Sequence, residues 1–285
     1  MIIRIFITLY LASISVLAMA EEFDSNKKIY PMLSFSERYN AVDTANFEVV
    51  YAHAILDPVL NQKNLIHEML CIGENSYSFY IKYGSYKSDS VANAKQGYVE
   101  SWNEQLGRFR KYDSVISDYG KILKNLNNNS LKAHNIIFGQ SYLYEEPIPE
   151  INWQLSDGTK EILGYECHKA TARWRGRDWT AWYSDIPFSD GPYKFTGLPG
   201  LILGLEDATG EHKFQAIGIK KDNYPFGFDK KFNPIKTKRE KFEAMQKDHK
   251  LNFGKTLANS SLVQVKPEDK DRISQRSFYC PIELE

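Results

Sequence analysis

The stretch Tyr165-Glu166-Cys167-His168-Lys169-Ala170-Thr171-Ala172-Arg173-Trp174-Arg175-Gly176-Arg177-Asp178-Trp179-Thr180-Ala181-Trp182-Tyr183-Ser184 decides the fold. Two strand-like runs carrying aromatic residues flank Arg175-Gly176, a pair suited to a two-residue hairpin turn. With the turn at those two residues, Arg173 faces Asp178, Thr171 faces Thr180 and Lys169 faces Trp182. These are a charge pair, a hydroxyl pair and a cation opposite an aromatic ring, a set that suits water. The alternate positions pair Ala172 with Trp179, Ala170 with Ala181 and His168 with Tyr183. Small residues opposite large ones make a packed face. One register therefore gives both faces a sensible chemistry.

Outward from the hairpin, Ile151 to Lys220 is dense in β-like sequence, and Trp153 to Lys220 reads as one up-and-down antiparallel sheet. Within it, Gly197-Leu198-Pro199-Gly200 precedes the apolar run Leu201-Ile202-Leu203. Glycine and proline there predict a shaped turn feeding a buried strand. Upstream, Phe47–Leu56, Leu65–Ile72 and Tyr77–Tyr83 read as strands, the last two joined through Gly73-Glu74-Asn75-Ser76. Residues 23–46 are polar and mixed, and predict a loosely packed arm. From Val99 to Tyr119 the large apolar residues recur every three or four positions. That spacing predicts an amphipathic helix, and Gly97, Gly107 and Gly120 divide it into two pieces. Asn125–Ser130 is a loop, Asn135–Glu145 another strand, and Lys236–His249 a charged helix with Phe242 and Met245 on one stripe. The expected class is α+β: a mostly antiparallel, curved, half-barrel-like sheet with a helical insertion after the third strand and a helix near the C-terminus.

The pattern Gly164-Tyr165-x-Cys167-x-Lys169-Ala170-Thr171, then Arg175-Gly176-Arg177, then Ala181-Trp182-Tyr183-Ser184-Asp185-Ile186-Pro187 leads to Gly191-Pro192-Tyr193-Lys194 and to Gly197-Leu198-Pro199-Gly200-Leu201-Ile202. With Pro149-x-Ile151-Asn152-Trp153 upstream and the tail Pro281-Ile282-Glu283-Leu284, it resembles the GLPGLI family of secreted Bacteroidota-type proteins. The resemblance is specific over about residues 147–220 and at the tail. It implies a protein without an established activity, and a possible partner among TonB-dependent outer-membrane receptor systems. Cys280 stands where the family pattern suggests Asn, and Cys71 is also atypical. Three cysteines allow one intramolecular bridge at most. Cys71–Cys280 is the expected pair, because Cys167 lies inside the family-like block.

Residues 1–20 have a basic start at Arg4, an apolar run from Ile5 to Leu17 and a small-x-small end, Ala18-Met19-Ala20. This is the pattern of a cleaved export signal, leaving 21–285 as a single mature domain in the periplasm or outside the cell. No transmembrane segment is expected after cleavage. Lys plus Arg is 36 and Asp plus Glu is 36; losing Arg4 leaves 35 against 36, a net charge of −1. Such a balance argues against nucleic-acid capture, which needs a clustered basic surface.

Chemistry-bearing motifs are sparse. His67-Glu68-Met69-Leu70-Cys71 approaches a zinc-protease motif, but it ends in Cys and sits in a strand-like run. No nucleophile elbow or phosphate loop is present, and no metal or cofactor is implied. Four of the five tryptophans, Trp153, Trp174, Trp179 and Trp182, fall in the hairpin block and read first as core. The candidates for ligand or partner contact are Arg175, Arg177, Trp179, Tyr183, Asp185 and Lys194. Arg177 and Lys194 suit a structural ion pair or an anionic group. Three functions follow in order: a non-enzymatic envelope binding or accessory protein, a carrier holding an apolar lipid or peptide in the sheet's concave face, and a hydrolase built on the Asp185/Asp190 loop.

Overall fold

The computed structural model describes residues 24–57, 61–112, 120–137, 140–221, 223–231, 233–259 and 279–285, so the leader expected at 1–20 lies outside the described residues. Fifteen strands and four helices alternate along them. The first part contains β1 (Lys28–Pro31), α1 (Phe35–Arg38), β2 (Tyr39–Asp57), β3 (Gln62–Gly73), β4 (Tyr77–Lys82), α2 (Tyr83–Ala94), β5 (Val99–Ser101) and α3 (Trp102–Lys111). After these come β6 (Lys121–Asn125), β7 (Ser130–Ile137), β8 (Gln140–Pro147), β9 (Gln154–Ile162), β10 (Tyr165–Trp174) and β11 (Arg177–Ser184). The last part holds β12 (Ile202–Asp207), β13 (His212–Lys220), β14 (Tyr224–Asp229), β15 (Ile235–Lys236) and α4 (Arg239–Asn259).

Thirteen strands form one open sheet, ordered β15-β8-β7-β6-β4-β3-β2-β13-β12-β11-β10-β9, with β14 also on β2. The expected α+β class, dominated by antiparallel sheet and ending in a helix, is what the chain adopts. The hairpin register is also as expected: Arg173 faces Asp178, Ala172 faces Trp179 and His168 faces Tyr183. Its two-residue tip places Arg175 and Gly176 at positive φ, the left-handed geometry that a tight hairpin requires. The exposed Arg173–Asp178 pair closes at 3.0 Å, while Ala170, Ala181 and Trp179 are buried. Lys169 does lie opposite Trp182, but the ammonium over that ring, at 5.7 Å, belongs to Lys160 of β9.

Side chains alternate between the faces of a strand, so the sheet carries two cores. Val49, Tyr51, Leu70, Tyr80 and Ile122 enter a first core with Trp174, Trp179, Phe195, Leu201, Phe242 and Ile282. Val50, Met69, Cys71, Phe79 and Leu123 enter a second with Tyr86, Tyr224 and Phe226. The loop between β11 and β12 and α4 cover the first face; α1, α2 and β14 cover the second.

Three expectations need correction. The arm predicted over 23–46 is ordered structure over its described residues, 24–46: β1 pairs β5, and β2 begins at Tyr39 with Tyr39 and Ala45 in the second core. Polar residues are common there because the strand is flanked by capped turns; Ser34 caps α1 through a capping box with Glu37. The helical insertion is two pieces, but they are α2 and α3, with β5 between them, and Lys121–Asn125 is a strand. Val115, Ile116 and Tyr119 lie outside the described residues. Finally, the expected Cys71–Cys280 bridge does not form: Cys71, Cys167 and Cys280 all remain thiols. Cys71 belongs to the second core, whereas Cys280 contacts His212, which hydrogen-bonds His53 on the first face. With the sheet between them, they do not meet.

Backbone contact decides where glycine is required. A Cβ on Gly200 would lie 1.7 Å from the carbonyl oxygen of Ser184, whereas one on Gly107, in α3, would meet nothing within 4 Å. Gly200→Ala should therefore cost about 3 kcal/mol in urea denaturation. Gly107→Ala should stabilise by about 0.5–1 kcal/mol.

Candidate functional site

The loop from Asp185 to Leu201 is folded back on the end of the hairpin by its own main chain. Ser184 N–H donates to Leu201 O at 2.9 Å, Leu201 N–H to Ile186 O at 3.0 Å and Ile202 N–H to Asp190 O at 3.0 Å. Trp153 Nε1 donates to Thr196 O at 2.8 Å, holding the turn at Gly197, whose φ is +91. Tyr51 reaches across from β2 to give Ile202 O a bond of 2.7 Å. Phe195 packs edge-on to both Trp174 and Trp179, each at 4.7 Å between centroids. Apolar burial and main-chain bonds together make the segment rigid. Asp185, Pro187, Ser189, Gly197 and Pro199 are its exposed positions.

Beneath this rim lies a buried ionic network. Lys194 is fully buried, and its ammonium lies 2.6 Å from Glu146 of β8 and 2.6 Å from Glu283. Arg175 reaches Glu283 at 3.3 Å and Glu146 at 3.5 Å. Arg239, at the start of α4, lies 3.5 Å from each of those carboxylates and 2.9 Å from Glu243; Glu240 approaches it from the solvent side. Tyr193 donates its hydroxyl proton to Glu283 at 2.7 Å. Burial works against the Lys194 ammonium, yet Tyr144, Glu283 and Glu146 together hold its pKa above the ordinary lysine value. Burial, then the Glu283 charge, pushes the Tyr193 phenol well up, so it remains a donor.

Two further polar groups cross the first core. Lys124 pairs with Asp190 with both side chains almost wholly buried, and Gly191 N–H donates to the same carboxylate at 2.7 Å. In the other group, Glu68 accepts from Tyr80 at 2.6 Å and lies 3.0 Å from His53 Nδ1. His53 Nε2 lies 3.1 Å from His212 Nδ1, and His212 Nε2 lies 3.4 Å from Cys280 Sγ. One set of tautomers satisfies the file: the thiol donates to His212, His212 to His53, and His53 to Glu68. Burial first, then the His53 and Arg177 charges, lowers the pKa of His212 to about 3. Burial and Glu211 raise the Cys280 thiol to about 11, so no thiolate forms at neutral pH.

Of the contact candidates, only Asp185 is presented to solvent, its side chain 91% exposed and 3.6 Å from His168. Trp179 and Tyr183 are core residues. Arg177 is buried against Asp207 at 2.8 Å and Glu211 at 2.6 Å, and it donates to Pro281 O at 2.8 Å. Arg175 and Lys194 belong to the ionic network. Asp185 and Asp190 do not converge: one faces water and the other is buried with Lys124. His67 and Glu68 are successive strand residues, so they project to opposite faces, and only Glu68 is buried. Among the described residues no group of three or more His, Cys, Asp or Glu side chains is placed to hold a metal. In the block of motif residues, Gly164 supplies positive φ after Leu163 at the β9–β10 turn, Tyr165 is exposed, and Cys167 is buried with its thiol pushed up to about 11 by burial. Trp182 packs against the first core. Glu146, Arg239, Lys124 and the paired histidines carried no motif.

Breaking the network should be costly, since losing one partner strands the others in the interior. Lys194→Met should lower stability by about 3–5 kcal/mol, whereas Arg173→Ala, which removes an exposed pair, should cost about 0–1 kcal/mol. The histidine file gives a pH test. His212 binds a proton in the unfolded chain near pH 6.5 but in the folded one only near pH 3. Its contribution is complete above pH 6.5 and is lost as pH falls toward 3. From pH 7 to about 4.5 the wild type should lose about 2–3 kcal/mol more than His212→Gln, read from urea midpoints at each pH.

No curated protein matches the chain. Two crystal forms of PNGF-II are similar in structure: the C2 form at 15% identity with a TM-score of 0.47, and the P21 form at 16% with 0.45. Each match covers 73% of this chain and 34% of that one, so the chain spans about a third of the length of PNGF-II. The LolA superfamily protein NE2245 from Nitrosomonas europaea is similar at 12% identity over 67% of this chain and 91% of that one, with a TM-score of 0.26. Residues 175–204, from the tip of the hairpin through the first residues of β12, match the model of a family described as a protein of unknown function, Porph_ging.

Proposed function

We propose that the chain is an exported, non-enzymatic binding or accessory protein of the cell envelope, acting through the exposed rim Asp185–Pro199. The observation that carries this reading is the contrast between that rim and what lies beneath it. The side chains with catalytic chemistry are already engaged with one another: Lys194 with Glu146 and Glu283, Lys124 with Asp190, Arg177 with Asp207. The aromatic rings that would line a ligand chamber instead pack around Phe195. A rigid, solvent-facing loop on a filled interior suits recognition of a protein surface. The resemblance to GLPGLI proteins adds the expectation of a single unit from residue 21, delivered by a leader, with a TonB-dependent outer-membrane receptor system as partner. Among the described residues no helix is long and apolar enough to cross a membrane.

A carrier of an apolar ligand finds less support. The depression of about 350 Å³ beside the hairpin is lined largely by Asn152, Gln154, Thr171, Arg173, Asp178 and Thr180. These polar groups favour water over a lipid tail.

Affinity capture from envelope extracts tests the proposal. The wild type should retain a specific envelope protein that an Asp185→Lys/Pro187→Ser variant retains at least about tenfold less well, with unchanged thermal stability. Retention of nothing specific, or equal retention by both, would count heavily against it. Saturable one-to-one binding of an apolar fluorophore by the wild type would restore the carrier reading.

A further inference from the structure

Residues 280–285 lie against the tip of the β10–β11 hairpin and the motif loop as a ligand lies in a groove. Ile282 is 2% exposed and belongs to the first core. The carboxylate of Glu283 meets Lys194, Arg175, Arg239 and the Tyr193 hydroxyl. On the main chain, Leu284 N–H donates to Arg175 O at 2.9 Å, and Pro281 O accepts from Arg177 Nη2 at 2.8 Å and Nε at 3.2 Å. Gly176 leaves the tip open for this contact, since a Cβ there would lie 2.8 Å from the Leu284 side chain. An apolar pocket, a carboxylate clamp and main-chain partners on a hairpin are the components of extended-peptide recognition.

We propose that this groove is a peptide-binding site for an extended partner segment carrying an aliphatic residue followed by a glutamate, and that Pro281-Ile282-Glu283-Leu284 is its resident competitor. Charge sets the ligand class. Three cations, Lys194, Arg175 and Arg239, converge where the sheet and α4 supply two enclosed carboxylates, Glu146 and Glu243; Glu240, 3.6 Å from Arg239, stays open to water. Without Glu283 the groove holds one buried positive charge in excess, and a single carboxylate beside an apolar side chain neutralises it. The resident segment is replaceable on energetic grounds. It is a strand of neither sheet, and Ile282 is its deepest apolar anchor. A segment outside the strand ladders opens at a lower cost than the sheet it lies on, and an entering glutamate takes up the partners that Glu283 leaves, so the network is exchanged and not broken. The inference goes beyond the rim contact proposed above; the residues differ, and either can fail alone.

Cys280 makes the test possible on the full chain. Cys71 and Cys167 are fully buried, whereas Cys280 is part-exposed and leaves its contacts with His212 and Glu211 if the segment undocks. The probe is a synthetic hexapeptide, Ser-Pro-Ile-Glu-Leu-Glu, and its counterpart with the first Glu replaced by Gln. At about millimolar concentration, the Glu peptide should raise the rate of thiol labelling of the wild type at Cys280 by about tenfold, and the Gln peptide should not. A fluorescent Glu peptide should bind full-length Glu283→Gln about tenfold more tightly than the wild type, because the competitor has lost its charge. Unchanged labelling of the folded wild type overturns the proposal even if the variant fails to fold. Equal affinity for the two peptides also overturns it. A dimer formed by exchange of tails, with no binding of free peptide, assigns the groove to a second copy and overturns it as well.

Discussion

A lysine with no access to water must be neutralised where it stands, and Lys194 is such a lysine. Its ammonium draws Glu146 from β8 and Glu283 from the tail, and Arg175 and Arg239 close the ring around the same carboxylates. Five separate pieces of chain are thereby tied at one point: the motif loop, the hairpin tip, β8, the segment carrying Glu283 and the start of α4. Apolar burial alone would let these pieces slide against one another. Paired buried charge does not, because a small displacement leaves an ion without its partner. The glycine–proline turn is the covalent side of the same constraint: Gly200 lets the loop touch the Ser184 carbonyl, and Lys194 can then reach inward.

How far this was legible depends on the range of the interactions. The hairpin is written locally: turn residues, alternation and complementary pairs lie within twenty residues of one another, and they define the register fully. The ionic ring is written at long range. Lys194 and Glu146 are 48 residues apart and Tyr193 and Glu283 are 90 apart, and no periodicity links them. Arg175, Arg177 and Lys194 attract attention in the sequence as candidates for ligand or partner contact, but folding engages each with carboxylates of its own chain. The arm before Phe47 was missed for a related reason. β2 is long, and its first half pairs with β14, which lies nearly two hundred residues later, with Tyr39, Asp43 and Ala45 turned inward and Asn40, Ala41 and Val42 exposed. Polar composition says little about a strand whose apolar partners come from elsewhere. The thiols show the converse error: Cys71 and Cys280 both neighbour strands, yet alternation sends one to each side of the sheet.

The histidine file illustrates why a row of reactive side chains is not in itself a reaction centre. Cys280, His212, His53 and Glu68 have the composition of a nucleophile with its relay. A complete order of donation exists among them, however, and burial keeps the thiol protonated and the His212 imidazole neutral. Glu68 ends the file with a tyrosine hydroxyl on it. Satisfied polar groups of this kind specify a unique packing.

β2 carries a consequence for how the molecule is made. It is 19 residues long, pairs with β3 along most of its length, and on its other edge accepts β13 and β14 in succession. Those partners are synthesised near the end of the chain. A nascent chain therefore carries an uncovered strand edge in its first quarter until His212 onward has emerged. Such an edge invites pairing with neighbouring chains. Assembly of this protein is then a matter of timing, in which the early half must be shielded until the late half arrives.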